Sequence, residues 1–491
     1  MLLKSITKIK ITYLTLVLAG AAISTTASAD IHPQGASLSY SQKSLSNYGN
    51  PAVPALIIER DDPHVITGAM LNIGSDLEYG NFDDLFEKIN ELANEFKPPS
   101  DGNSGDGSDG EGPDNDPDGD FINWADLFEQ HPNLEGKIGI VKGKVFQAAA
   151  LLAIIGSEGY GKAEANVDGS FILSEDIFGG SLLLGFGVKG RSKALGIFEQ
   201  PNFDIAQAKE QLAAIPNFQE TDPIQALELS GGITLFYNPA NNKTKLMINN
   251  DSLLLIKAMK ISQISLNYSQ KMLTNKYGDF YWGIKPTYYR VGLANVSARL
   301  GDINDSEALF DDIKNADFIY KNGFDFDLGL IWAAEHYQFG ASLTNVIEKS
   351  FSFPELDRSS ISSQTIISQL DHHKSVTLER QLRLEAGIYT KQRKWSLHAE
   401  VDANAITDNM KDDYQWLTFT GGYAVDSWWL PSARLGFSKN ITGSQLSYVN
   451  AGVTVMKFLN IDIASTLDTV KIDGNELMRG LSIRLGVQFD Y

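Results

Sequence analysis

The sequence predicts an all-β protein: a closed antiparallel transmembrane β-barrel of about 14 strands (about 12 to 16), with a small helical, acidic insertion near its N-terminus. Three observations predict it. The last thirteen residues alternate without a break, an export leader opens the chain, and every second link between the later strands is short.

At the C-terminus, Leu481, Ile483, Leu485, Val487, Phe489 and Tyr491 share one face. Ser482, Arg484, Gly486, Gln488 and Asp490 share the other. Period-2 alternation marks a strand with one apolar and one wetted face. A soluble sandwich also contains such strands, so other evidence must decide. The spacing of Arg484, Gly486, Phe489 and Tyr491 resembles the C-terminal signal read by the machinery that assembles outer-membrane barrels.

The leader is independent evidence. Lys4, Lys8 and Lys10 precede an apolar stretch over 11–23, and Ala27-Ser28-Ala29 offers a peptidase small residues before Asp30. Residues 1–29 therefore read as a secretory signal peptide. No later run is long and apolar enough for a transmembrane helix. With no cysteine, disulfides and thiolate chemistry are excluded. Losing the three leader lysines takes the formal charge from −20 to −23. That argues against nucleic-acid binding, which needs a basic face. A mean hydropathy of −0.16 suits a barrel, where only alternate strand positions meet lipid.

In chain order, residues 30–63 form an N-terminal segment. A short strand is expected over 37–45, then Asn47-Tyr48-Gly49-Asn50-Pro51-Ala52-Val53-Pro54, whose prolines and glycine break regular structure. This segment is either a small plug in the barrel or a turn into the first strand. Residues 64–135 hold that strand, over 64–79, and the insertion. Phe82, Leu85, Phe86, Ile89, Leu92, Ala93 and Phe96 recur at helical spacing, predicting a helix over 81–97 that Pro98-Pro99 ends. Residues 100–120 are too polar to bury a core and are expected to be disordered; a second helix is expected over 121–130.

Within the acidic stretch Asp114, Asp116 and Asp118, with Gly119 and Asp120 following, match the first half of a calcium loop. The twelfth position is Ala125 and not a bidentate Glu, so a solvated linker competes with calcium as the reading.

Residues 136–491 are assigned to the barrel. Up to about 260 the pattern is faint, with an apolar run over 145–155, a glycine-rich one over 181–189, a short helix over 205–215 and a hairpin pairing 229–237 with 245–249. Beyond it, alternation places strands at 261–270, 280–299, 324–333, 337–346, 381–390, 395–405, 414–425, 432–440, 445–456, 460–470 and 480–491. The links 457–459, 426–431, 391–394, 334–336 and 271–279 are short. Those at 301–323, 347–380, 406–413 and 471–479 are longer, and 441–444 is the exception. Short periplasmic turns and longer external loops are the build of an outer-membrane barrel. Trp332, Tyr337, Tyr389, Trp395, Trp428 and Trp429 beside the turns fit interfacial girdles, joined by Trp282, Tyr288 and Tyr289.

Four stretches carry a family resemblance: Gly49-Asn50-Pro51-Ala52; residues 283–290, starting Gly283-Ile284-Lys285-Pro286; Phe324-Asp325-Phe326-Asp327-Leu328-Gly329; and His398-Ala399-Glu400-Val401-Asp402. Together with the leader and acidic insertion, they resemble the TraF-type family of predicted outer-membrane barrels in conjugal transfer. That family is distantly similar to FadL-type transporters of hydrophobic compounds. The thioredoxin-like conjugation protein sharing the TraF name has a different fold, and nothing here resembles it.

No nucleophile–base set, zincin motif, phosphate loop or dinucleotide fingerprint occurs, so no enzyme activity is expected. Asp371-His372-His373 falls in the longest external loop, where nothing regular fixes a metal geometry. The best polar constellation is in the lumen. A turn at Gln392-Arg393 sets Arg383 opposite Asp402 and Glu385 opposite Glu400, with His398 facing the same way. The lipid-facing neighbours Leu382, Leu384, Leu397 and Val401 fix that sidedness, and the five residues are expected to cluster. Two functions fit a protein embedded in the outer-membrane bilayer. One is passage or binding of small molecules, with hydrophobic ones among the candidates; the other is a structural or interaction role among envelope proteins of a conjugation or secretion apparatus.

Overall fold

Strand β1, Ala69–Tyr79, shows the logic of the molecule: Leu71 and Ile73 point outward while Asn72, Asp76 and Glu78 are buried inside. In the computed structural model it pairs antiparallel with both the last strand and the next one, so the sheet has no edge. The structure describes residues 49–60, 68–85, 122–123, 158–199, 225–229, 233–238, 243–248, 251–300, 313, 315–408, 410–425, 427–472 and 475–489.

Thirteen further strands complete the barrel: β2 (Tyr160–Ile177), β3 (Gly180–Ile197), β4 (Leu253–Asn275), β5 (Gly278–Arg299), β6 (Ile319–Ala333), β7 (Tyr337–Thr344), β8 (Gln381–Tyr389), β9 (Trp395–Asp402), β10 (Trp416–Tyr423), β11 (Ser432–Asn440), β12 (Ser447–Val455), β13 (Leu459–Thr466) and β14 (Gly480–Phe489). Each pairs with its neighbours in sequence, and β14 closes on β1, giving fourteen strands in one antiparallel ring. Links after even-numbered strands are short and those after odd-numbered ones mostly long, so the barrel has a short-link end and a long-link end. Outward positions such as Leu384, Leu397, Leu435, Ile463 and Leu485 form an exposed apolar band. Arg434, Asn450, Asp462 and Arg484 are buried inside. That sidedness belongs to a membrane barrel.

The long-link end corrects the faint part of the sequence reading. A span needs only about 9–11 residues, yet β2 and β3 have 18 each, β4 has 23 and β5 has 22. The surplus forms a tall wall covered on both faces, so Leu253, Leu254, Leu255 and Ile256 are all buried. With both faces apolar, alternation is lost there, which is why only 261–270 of β4 stood out. On the outer face Phe82, Leu85, Phe198, Ile313 and Phe318 pack over the wall. On the inner face lies helix α2 (Gln364–His372), seated through Ile366 and Leu370. Asp251 holds its N-terminus, accepting from the backbone N–H groups of Ser362 and Ser363 at 2.7 Å each. Burial alone would raise the Asp251 pKa, but these bonds and Arg299 bring it below the ordinary carboxylate range.

Not all of 136–491 is barrel. Gln225–Leu229, Ile233–Asn238 and Lys243–Ile248 form a separate sheet with Ile122–Asn123 at its edge. The expected hairpin is present, paired over Ile233–Asn238 and Lys243–Ile248. The helix expected over 121–130 is corrected at its start: Ile122 and Asn123 pair as strand with Thr244 and Lys243, long-range pairing overriding a short amphipathic pattern. The rest of that helix, most of the one over 81–97 and the one over 205–215 lie outside the described residues.

Candidate functional site: a plugged lumen and a clamped mouth

The Asn50-Pro51-Ala52 stretch, the least specific of the family motifs, folds into the barrel. Asn50 turns the chain by accepting from Ala52 N–H at 3.0 Å. Helix α1, Val53–Arg60, follows, with Pro54 in its first turn where a missing N–H costs nothing. The Asn50 side-chain amide donates to Leu330 O at 3.1 Å, Ala341 O at 3.3 Å and Glu385 Oε1 at 2.6 Å, spanning β6, β7 and β8. The wall yields space for it. Gly283 and Gly329 are cross-strand partners, and a Cβ on either would collide with the Asn50–Ala52 backbone or the Asn50 side chain. Further along, Ala55 N–H bonds Ser269 Oγ at 2.9 Å, and Glu59 takes the Tyr281 hydroxyl at 2.9 Å and the Lys271 ammonium. Ala52, Val53, Ala55 and Leu56 are buried against Ile172, Leu183, Tyr281, Ile331 and Ala333, near the short-link end. Of the two readings of residues 30–63, the plug describes 49–60.

The lumen cluster sits beside this plug. Arg383 pairs across the ladder with Asp402 and Glu385 with Glu400. Arg383 Nε donates to Asp402 Oδ1 at 2.9 Å, and Asp402 Oδ2 accepts from Trp416 N–H at 2.9 Å. Glu385 is answered by Asn50 from the plug, a partner the sequence reasoning did not supply. Arg383 also approaches Gly49, within 3.2 Å of where a Cβ would stand. His398, on the same face, packs its ring edge-on to Tyr389 at 5.2 Å. The cluster thus touches the plug at both Gly49 and Asn50.

At the opposite end the loop between β9 and β10 enters the mouth, and its chemistry was not legible from sequence. Ile406–Thr407 and Asp413–Tyr414 pair briefly, bringing Asp408, Met410 and Asp412 to the tip. Asp412 binds Lys162 at 2.8 Å and Lys193 at 2.7 Å, and Asp408 binds Arg191 at 3.3 Å, all on β2 and β3 across the mouth. Behind them Glu164 holds Lys189 and Arg191, and Glu78 accepts from Lys162 at 3.1 Å and from Tyr160 at 2.7 Å. Burial would raise the Asp412 pKa, yet Lys162 and Lys193 hold it well below the ordinary range, so it stays ionised at neutral pH. A signal existed: Lys162, Arg191 and Lys193 sit at strand positions that could reach the lumen, with no local acid to match every charge. Nothing in one sequence says which loop crosses to them.

Beside the clamp the mouth is apolar. Met259 and Ile261 of β4 and Tyr289, Val291 and Leu293 of β5 face inward. They pack on Phe351, Phe353, Val376 and Leu378 around the hairpin Ser350–Ser352 with Ser375–Thr377, and on Met410.

The remaining expected residues fall as follows. Arg484 and Gly486 lie on β14 facing the lumen, Phe489 is its last residue, and Tyr491 is outside the described residues. So are Asp114, Asp116, Asp118 and Asp120 with the whole calcium proposal. Asp371, His372 and His373 end α2; Asp371 is engaged by Arg358 at 3.1 Å, and no metal-holding group of His, Asp and Glu occurs among the described residues. Trp332, Tyr337 and Phe339 stack together at the short-link end, as a girdle does. Tyr289 instead faces inward into the apolar mouth, because it shares parity with Val291 and not with Tyr288.

A family described as "F plasmid transfer operon, TraF, protein" matches residues 47–402. The chain belongs to this family. The match begins just before the plug and ends at Asp402, the partner of Arg383. Curated proteins give no match. Among solved structures, a Pseudomonas aeruginosa FadL homologue is 11% identical, covers 96% of this chain and 99% of its own, and has a TM-score of 0.38. The TodX deltaS2S3 mutant monoaromatic hydrocarbon channel is 9% identical, covering 89% and 92%, at 0.34. The transport unit of the autotransporter AIDA-I from Escherichia coli is 7% identical, covering 90% and 99%, at 0.27. These scores add nothing to the fold read from the strand ladder.

Proposed function

We propose that this TraF-family chain is an outer-membrane barrel for binding or passage of small, hydrophobic molecules, closed at its periplasmic end by the plug and at its external end by the clamped loop. In this reading residues 1–29 are the removed leader, 30–63 the plug segment and 64–135 the first strand with its insertion. The short-link end faces the periplasm, and Arg484, Gly486, Phe489 and Tyr491 address the assembly machinery. The observation that carries the reading is the apolar inner face of β4 and β5 in the mouth. A lumen for hydrophilic solutes is lined with polar groups; here Met259, Ile261, Val291 and Leu293 are buried under the hairpin and Met410, an apolar seam that an apolar molecule would enter by displacing that cover. The test is uptake of an apolar fluorescent probe and of a sugar of similar size into liposomes holding the purified barrel. The reading expects flux or saturable binding for the apolar probe only; sugar flux alone, or neither signal, would refute it.

A structural role in a conjugation apparatus is the second reading, favoured by the family's description and by the filled mouth. Deleting the gene from a conjugating host separates the two: a loss of mating with unchanged probe uptake selects this one.

A further inference from the structure

On the outer surface of β4–β6 the chemistry changes within one residue step. Outward positions on β5 run Phe280, Trp282, Ile284, Pro286 and Tyr288, and then Arg290. On β4 Leu266 and Ile264 give way to Ser262 and Lys260, and on β6 Phe326 and Phe324 give way to Asn322 and Tyr320. Pairing places Ser262 beside Arg290 and Arg290 beside Asn322. Lys260 pairs with Gly292 and is therefore diagonal to Arg290 on the same face. The Tyr320 ring occupies the space a side chain at Gly292 would need, and the Arg290 guanidinium lies 4.1 Å from its centre. Below the patch Ile264, Tyr288 and Phe324 are half exposed, as lipid-facing residues are. Above it the wall closes again, with Ala258 and Ala294 buried under Ile313 and Phe318. Two cations thus stand between the apolar band and the covered upper wall. Neither forms an ion pair among the described residues, in a chain whose formal charge is −20.

We propose that Lys260 and Arg290 bind the phosphate of a glycolipid headgroup in the outer leaflet, its acyl chains lying along Ile264, Tyr288 and Phe324. Charge complementarity selects the partner. The rim of the apolar band meets headgroups, and guanidinium and ammonium groups together with Asn322 match a phosphate's acceptors. The aromatic support under Arg290 holds the guanidinium at the lipid–water boundary. This inference rests on the outer-membrane address proposed above.

The experiment uses the full chain, produced in a two-membrane bacterial host, localised by density separation of the membranes and purified in mild detergent. Bound phosphorylated glycolipid per barrel is counted by native mass spectrometry, and barrel integrity by heat-dependent gel mobility. The expected result is retention by the wild type and by Lys439→Gln, an outward lysine on β11. Retention should fall about tenfold in the Lys260→Gln, Arg290→Gln variant, as loss of charge-assisted contacts to phosphate implies. Should the double variant fail to close, the two single variants are compared, each expected to show a partial loss. A folded double variant, or single variants, retaining the wild-type amount in the outer membrane would overturn this inference alone. Recovery of the wild type in the inner membrane would overturn the address as well. Equal retention of phosphatidylglycerol by the wild type would reduce the site to unspecific anion attraction and also overturn it.

Discussion

Asn50 is the residue on which the plug turns. One amide reaches three strands and supplies the donor for Glu385, buried opposite Glu400. Asn50→Leu keeps the branched shape but removes those bonds, and loss of a buried donor to a carboxylate costs about 1–3 kcal/mol. The expected outcome is faster hydrogen exchange over Val53–Arg60 with the barrel strands unchanged; unchanged protection there would show that the amide is incidental. His373 makes a second prediction. Burial, and then the positive charges of Lys257 and Lys193, lower its pKa to about 3, so it is neutral in the folded loop. The unfolded segment takes a proton below its ordinary pKa of about 6.5. Stability from this group is therefore full above about pH 6.5 and lost as pH falls toward about 3. Protease cleavage of the loop that carries α2 should rise across that window, and His373→Asn should reduce the rise, leaving the part at the acid end that protonation of Asp251 contributes. Sidedness of Arg383 and Asp402 was legible because apolar neighbours at every second position force it. The partner of Glu385 was not, since it arrives from about 335 residues away.

Elements read well where one face meets lipid and poorly where both faces are covered. Strand β11 has the bounds that alternation gives, whereas β4 extends beyond its alternating part into a wall packed by α2 inside and by other segments outside. The plug was legible as an irregular segment, but its seat was not, because Gly283 and Gly329 meet only after the barrel closes. Gly329→Val should expel the plug, since its side chain would stand where Asn50 and Ala52 now lie, while β6 keeps its pairs. Protease access to residues 49–60 with heat-stable barrel mobility is the expected result; a seated plug would contradict the geometry. The loop between β9 and β10 belongs to the same scale. Asp412→Asn removes the charge facing Lys162 and Lys193, and breaking a largely buried pair by removing one partner costs about 3 kcal/mol or more. Exchange should quicken at the loop tip and not in α1; equal protection in the variant would mean that Met410 packing alone holds the loop.

For the whole molecule, closure into an even-numbered barrel of about 12 to 16 strands followed from parity of the links and from the terminal strand, both consequences of a bilayer solvating one face; the count of fourteen comes from the strand ladder. What the lumen holds did not follow, because plug and clamp are long-range contacts made by segments without periodicity. The central claim is that the segment Val53–Arg60 closes a lumen that carries apolar molecules. Its most direct test exploits the lack of cysteine. An Ala55→Cys, Ser269→Cys pair, placed where Ala55 N–H meets Ser269 Oγ, would tether α1 to β4 by a disulfide. In liposomes, the account predicts that oxidation abolishes flux of the apolar probe and that reduction restores it. Flux that is equal in the oxidised, cross-linked barrel and the reduced one would contradict it.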